Sequence, residues 1–181
     1  MPEEQVILVD KNDKQVGVME KMAAHRGKGK LHRAVSVLLY RKKNGKTEVL
    51  LQQRSKHKPL WPLFWSNTVC GNVLADETYR ECAIRRLKDE LGIEAKNGML
   101  KPLYKFQYQA KFNDELSEHE MDQVFVGTLD QELNPNPDEV SRIDWMRWSD
   151  LKKNIDQSRT YTPWLKKMTV NRELKDYLKE R

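Results

Sequence analysis

The chain has 181 residues, 38% hydrophobic and 33% charged, which is the size and make-up of one ordinary globular domain. Its 33 basic and 27 acidic residues leave +6, a balance that points to an anionic partner without naming it. Gly 8 and Pro 7 exclude collagen-like and low-complexity sequence, no apolar run approaches the ~20 residues of a membrane span, and Cys70 and Cys82 alone exclude a disulfide framework.

The opening MPEEQVILVD starts acidic and lacks the basic-then-apolar pattern of a secretory signal. The expected location is therefore the cytoplasm, with both thiols reduced. Much of the positive excess sits in RGKGK near residue 26 and in the C-terminal tail. Nucleic acid, a membrane surface or a phosphorylated small molecule would each satisfy it, and so would plain solvated charge.

In chain order, Val6 to Val9 reads as a strand, Lys11 to Lys14 as a polar turn and Gln15 to Met19 as the returning strand. Gly27 and Gly29 mark a loop expected to be mobile. Two β-branched, apolar runs flank Asn44-Gly45, a strong hairpin signal. ADETYRECAIRRLKDELG predicts a helix with Asp76 and Glu77 at its start, a stripe of Tyr79, Ala83, Leu87 and Leu91, and Gly92 as its stop. Tyr104, Phe106, Tyr108, Ala110 and Phe112 alternate as in a strand. NDELS is a turn, EHEMDQVFVGTL another strand, NPNPDE a loop and Ile143 to Trp148 a short strand. Thr162 is placed to cap a final helix with Pro163 at its first position, running towards Leu178. Strands, a central helix, more strands and a helical end predict an α+β domain, a mixed sheet flanked by helices.

Four features carry possible chemistry. Gly71, Glu77, Arg85, Leu87, Glu90, Gly92 and Ile93 have the spacing of the Nudix box, a loop-helix that holds a divalent ion on a diphosphate with carboxylates. The plainer alternative is an amphipathic helix with Arg86 and Glu90 as an i,i+4 pair. Arg86 and Asp89 stand where Nudix hydrolases generally carry glutamates, which disfavours hydrolysis and leaves Glu90 as the carboxylate for Mg²⁺. Cys70 directly precedes the box; a thiol beside a metal and a helix start can carry a proton, though free cysteines are more often inert core, as Cys82 is read. On a strand, Glu118 and Glu120 emerge on one face and repel unless a cation or proton separates them, while His119 points the other way. An exposed acidic edge is the alternative. His25 and His32 flank the glycine loop, which could fold both imidazoles to one point. Two histidines with two carboxylates suit zinc, manganese or iron better than calcium.

Together these features resemble type 1 isopentenyl-diphosphate isomerase, a Nudix-fold family, over nearly the whole chain, from EKMAAH through LHRAVS, WPLFWSNTVCG, the box (about 71–93) and SEHEMD to TPWLKK. The resemblance implies a single Nudix-like domain over 1–181 that interconverts isopentenyl and dimethylallyl diphosphate by a proton shift through a tertiary carbocation. It implies that Cys70 and Glu120 are the opposed proton-transfer groups, that Tyr108 assists Glu120, and that the Trp164 π face stabilises the cation; packing is the other explanation of Trp164. It implies that Lys21, Arg54, Lys58 and Arg86 bind the diphosphate, with Mg²⁺ at Glu90. It implies a second divalent ion (Mn²⁺, Zn²⁺ or Mg²⁺) on His25, His32, Glu118 and Glu120, with Asn72 where the family has a further histidine. The partner expected is a small isoprenoid diphosphate, with no nucleic acid and no membrane span, and the assembly a monomer or weak dimer. A Nudix hydrolase of another organic diphosphate is the alternative function.

Overall fold

The computed structural model describes residues 4–157 and 160–179. The first hairpin is β1 (Gln5–Val9) against β2 (Gln15–Glu20), as its alternation predicts. A one-turn helix the sequence does not announce, α1 (Lys21–His25), follows. Its cap is Glu20, whose carboxylate accepts from the backbone N–H groups of Met22 and Ala23, each at 2.6 Å. The glycine loop is not a free one. Gly27 N–H donates to the Glu115 carbonyl at 2.7 Å, and the Ser117 hydroxyl donates to the Gly27 carbonyl at 2.7 Å. Gly29 (φ 72°) lies so close to the backbone of Ser117 and to His119 that a side chain there would crowd them.

β3 (His32–Lys43) and β4 (Lys46–Arg54) form the Asn44-Gly45 hairpin, both turn residues at positive φ. β5 (Trp65–Ser66) and β6 (Val69–Asn72) are short strands ahead of α2 (Tyr79–Leu91). That helix starts later than the acidic pair leads one to expect. Thr78 and Glu81 make a reciprocal capping box that contributes about 1 kcal/mol, while Glu77 lies outside and pairs with Arg85. Gly92 ends it in the left-handed region (φ 66°).

β7 (Leu100–Lys111), β8 (Ser117–Thr128) and β9 (Val140–Arg147) complete one nine-stranded mixed sheet. β3 is its axis: β8 runs parallel on one edge, β4 and β6 antiparallel on the other. Both faces of β3 are covered, which is why it reads as a nearly continuous apolar run. Val35, Val37 and Leu39 pack towards Ala83, Leu87 and Leu91 of α2. Leu38 and Tyr40, pointing the other way, pack with residues of α3 (Trp148–Asn154), α4 (Pro163–Val170) and α5 (Arg172–Lys179). The single C-terminal helix of the sequence reading is thus two. Extended Asn171 (φ −63°, ψ 133°) breaks it, and Trp148 starts a helix rather than ending a strand. Thr162 does not cap α4 through its side chain; its hydroxyl instead reaches the Ser66 hydroxyl at 3.3 Å. Among the described residues no helix is long and apolar enough to cross a membrane.

Candidate active site

Strand register builds the site. Cys70 lies opposite Ser36 and Asn72 opposite Ala34 across β6–β3, while His32 lies opposite Glu120 across β3–β8. Tyr108 lies opposite Glu120 across β7–β8. His32, Ala34 and Ser36 alternate onto one face, so Cys70, Asn72, Glu118, Glu120 and Tyr108 share it. Cys70 and Glu120 therefore flank β3 from its two edges, offset along it by the four residues from Ser36 to His32. α1 adds Lys21 and His25, one turn apart on the same side.

These side chains enclose a cavity of about 700 Å³ including its open mouth. Lys21, His25, Arg54, Lys58, Cys70, Asn72, Arg86, Tyr108, Glu118, Glu120 and Trp164 all line it. His32 and Glu90 stand behind this wall, almost fully buried.

At one end, one donor atom from each of His25, His32, Glu118 and Glu120 falls within 4.8 Å of the others. His25 Nδ1 donates to the Lys21 carbonyl at 2.6 Å and His32 Nδ1 to the Lys30 carbonyl at 2.7 Å. A carbonyl only accepts, so both Nδ1 atoms carry the proton and both Nε2 atoms face the carboxylates. Glu118 Oε2 lies 2.9 Å from His25 Nε2 and, among the described residues, accepts no aligned hydrogen bond. Burial works against an imidazolium at His25, yet Glu118 outweighs it and raises that ring to about 9. Burial and the charge of Glu120 push the Glu118 carboxyl up. A divalent cation would take the proton's place and relieve both carboxylates, so the donor set fits one. Asn72 closes the cluster: its amide nitrogen is 3.0 Å from His32 Nε2 and 3.0 Å from Glu120 Oε1. Rotating the amide would turn its oxygen to the same point.

Glu120 is served from its other oxygen too, the Tyr108 hydroxyl donating to Oε2 at 2.6 Å. Burial opposes its ionisation, but the neighbouring His32 ring and the Tyr108 hydrogen bond prevail and hold the carboxyl below its usual range. Across the cavity, burial pushes the Cys70 thiol up to about 12, with Arg54 offsetting part of the rise. The thiol is therefore protonated at neutral pH, with Arg54 Nη1 3.5 Å from its sulfur. Trp164 closes the wall. Its indole N–H is held by Ser66 Oγ (2.9 Å) and Asn67 Oδ1 (3.0 Å), which leaves the ring faces free of that bond.

Residues 30–165 match the NUDIX domain. The chain is 42% identical to "Isopentenyl-diphosphate Delta-isomerase 1" of Photorhabdus laumondii, over 91% of this chain and 92% of that protein. It is 40% identical to "Isopentenyl-diphosphate Delta-isomerase" of Nocardia farcinica, over 88% and 89%. The chain belongs to the isopentenyl-diphosphate Delta-isomerases of the NUDIX family. The fold agrees: a Deinococcus radiodurans protein superposes with a TM-score of 0.73 at 24% identity, over 92% of this chain and 97% of that one.

In this Delta-isomerase the cationic wall is largely neutralised by carboxylates. Lys21 pairs with Glu4 at 2.8 Å, and Lys58 with Glu139. Arg86 holds Glu90 at 2.6 Å and Glu139 at 2.8 Å. Arg54 is different: its guanidinium donates to the carbonyls of Leu60 and Trp61 and, among the described residues, forms no ion pair with a carboxylate. The expectation of magnesium at Glu90 meets an obstacle. One of its oxygens is taken by Arg86 and the other by the Gln52 amide, and the carboxylate is buried away from the cavity. Both oxygens are thus already engaged, and an ion there has to compete with Arg86 and Gln52. The plainer reading of Arg86–Glu90 as an i,i+4 pair is thus correct in its pairing, though the pair is buried rather than on the surface.

Sequence reasoning misses Glu139, Gln52, Ser66 and Asn67. NPNPDE reads only as a loop, and WSNTVC draws attention to its cysteine alone. The local signal for each is a polar residue whose partner is distant in sequence. Cys82 is buried in α2 and His119 faces away towards Gly29 and Gln107, both as expected.

Proposed function

We propose that this chain interconverts isopentenyl diphosphate and dimethylallyl diphosphate, a step of isoprenoid biosynthesis, by adding a proton on one side of the substrate and removing one on the other. One observation carries the reading: a protonated thiol and an ionised carboxylate face a single cavity from opposite edges of β3. Cys70 supplies or recovers a proton at Sγ. Glu120 does so at Oε2, where Tyr108 holds and tunes the oxygen. Between them the carbon skeleton passes through a tertiary cation, and the Trp164 face in the wall stabilises it by ~2 kcal/mol, a little over tenfold in rate. Leu60, Trp61 and Trp164 form the apolar end that keeps water from that cation. Arg54 meets the diphosphate first, since no carboxylate among the described residues neutralises it, and Lys21, Lys58 and Arg86 exchange their carboxylate partners for phosphoryl oxygens.

A divalent ion on His25, His32, Glu118 and Glu120 supplies, when bound, the fixed positive charge that keeps Glu120 ionised and oriented. With the amide of Asn72 as a further neutral oxygen donor, the set favours magnesium or manganese over zinc. A magnesium ion arriving with the diphosphate would have to displace Arg86 from Glu90. We place the enzyme in the cytoplasm, where both free thiols stay reduced, as a monomer or weak dimer.

Proton NMR of metal-supplemented protein with isopentenyl diphosphate in D₂O tests the reading. Dimethylallyl diphosphate carrying deuterium is the expected product. Release of phosphate, or of the free alcohol, would replace the isomerase with a hydrolase.

A further inference from the structure

Glu139 has no part in the chemistry above, yet it holds two of the cations assigned to the diphosphate. It ends the loop between β8 and β9 and lies outside the cavity, while Lys58 and Arg86 line it. A single oxygen, Oε2, takes both: Lys58 Nζ on one side and Arg86 Nη2, at 2.8 Å, on the other. The backbone fixes it in place. Ser55 N–H donates to the Glu139 carbonyl at 3.0 Å, and Glu139 N–H donates to the Asn136 carbonyl at 3.0 Å. Asn136 N–H in turn donates to the carbonyl of Glu90, near the end of α2, at 2.9 Å. The carboxylate is thus built into the scaffold. Burial opposes its ionisation, but Arg86 and Lys58 overcome this and hold it down to about 2, so it is an anion at any working pH.

An oxygen bridging an ammonium and a guanidinium makes the contacts a phosphoryl oxygen would make. A ligand phosphate therefore meets cations that are already satisfied. We propose that Glu139 is a specificity-determining residue, a resident carboxylate that competes with the ligand for Lys58 and Arg86. A diphosphate offers a phosphoryl group to each cation and draws both away. A monophosphate only exchanges one bridging anion for another and gains little. The proposal rests on the reading of the cavity as a diphosphate site.

The test is calorimetric titration of the full chain with inorganic diphosphate and with orthophosphate, no divalent ion being added to the buffer. Wild type is compared with Glu139→Gln and with Glu139→Asp, whose carboxylate falls one methylene short, and thermal unfolding verifies each fold. Wild type should prefer diphosphate. Glu139→Gln should bind orthophosphate about tenfold more tightly and diphosphate more tightly by less, so that the preference shrinks. Glu139→Asp should fall between. Orthophosphate affinity that is unchanged or weaker in the folded variants overturns the proposal, as does a preference equal to that of wild type. A wild-type chain that binds no diphosphate, either there or in a parallel titration with magnesium added, overturns the reading of the cavity, and this inference with it.

Discussion

Tyr108→Phe isolates one hydrogen bond. The hydroxyl donates to Glu120 Oε2 at 2.6 Å, and both residues are buried. A hydrogen bond to a charged group contributes about 1.5–3 kcal/mol, more than its neutral counterpart. Phenylalanine keeps the ring, so the stack on Phe106 (centroids 5.5 Å apart) and the contact with Trp164 (6.2 Å) remain. The loss therefore falls on the ionised form of Glu120 and not on packing. At ~1.36 kcal/mol per pH unit, the acidic limb of the kcat profile should move up by roughly one to two pH units. The rate on the plateau should fall by about ten- to a hundredfold if the same bond steadies the proton transfer. Steady-state kinetics across the pH range, beside thermal unfolding of both proteins, reads this out. An unmoved limb with a nearly wild-type rate would refute the link between Tyr108 and Glu120. A large drop in Tm would assign the effect to folding instead.

Cys70→Ala should abolish turnover and leave Tm within a degree or two, since the side chain faces the cavity; retained activity would remove the thiol from the chemistry. Asn72→His should raise zinc affinity by about ten- to a hundredfold in a metal-binding titration, because imidazole is the softer donor and the position touches His32 and Glu120 at 3.0 Å; equal affinities would exclude position 72 from the metal's contacts. Trp164→Phe should lose less activity than Trp164→Leu at equal stability, and equal losses would mark the ring as packing only. Glu139 titrates at about 2 in the fold against an ordinary 4.5, so its ion pairs add stability above about pH 4.5 that disappears as pH falls towards 2. Acid unfolding of Glu139→Gln should lack that component, and identical acid curves would show the pairs to be without net effect.

Much of the site is legible because its chemistry is local in sequence. Glu118 and Glu120 are two apart on a strand, so one face follows from alternation alone. Lys21 and His25 are four apart, although the helix that makes the spacing useful is too short to show a period. The box helix shows its apolar stripe, but its start is decided by Thr78 and Glu81, because a hydroxyl that accepts from a free N–H outweighs the softer attraction of Asp76 and Glu77 to the dipole. The break at Asn171 is invisible for a related reason: Val170 and Arg172 are ordinary helix residues, and two helices packed under the sheet bury Leu165, Met168, Leu174 and Leu178.

By itself the sequence determines most of the strands and the box helix, the turn at Asn44-Gly45, the common face of the two glutamates and the residue types available for metal, thiol and aromatic chemistry. These depend on neighbours within a turn of helix or one pleat of strand. Only the tertiary structure decides that His32 meets Glu120, that Asn72 reaches both, and that Trp164 hangs by its N–H from Ser66 and Asn67. It also decides that Arg86 closes on Glu90 and Glu139 and that, among the described residues, Arg54 has no carboxylate partner. Each is a contact between strands, loops or helices whose register is set by burying both faces of β3 at once. That is a property of the whole core, and no segment carries it alone.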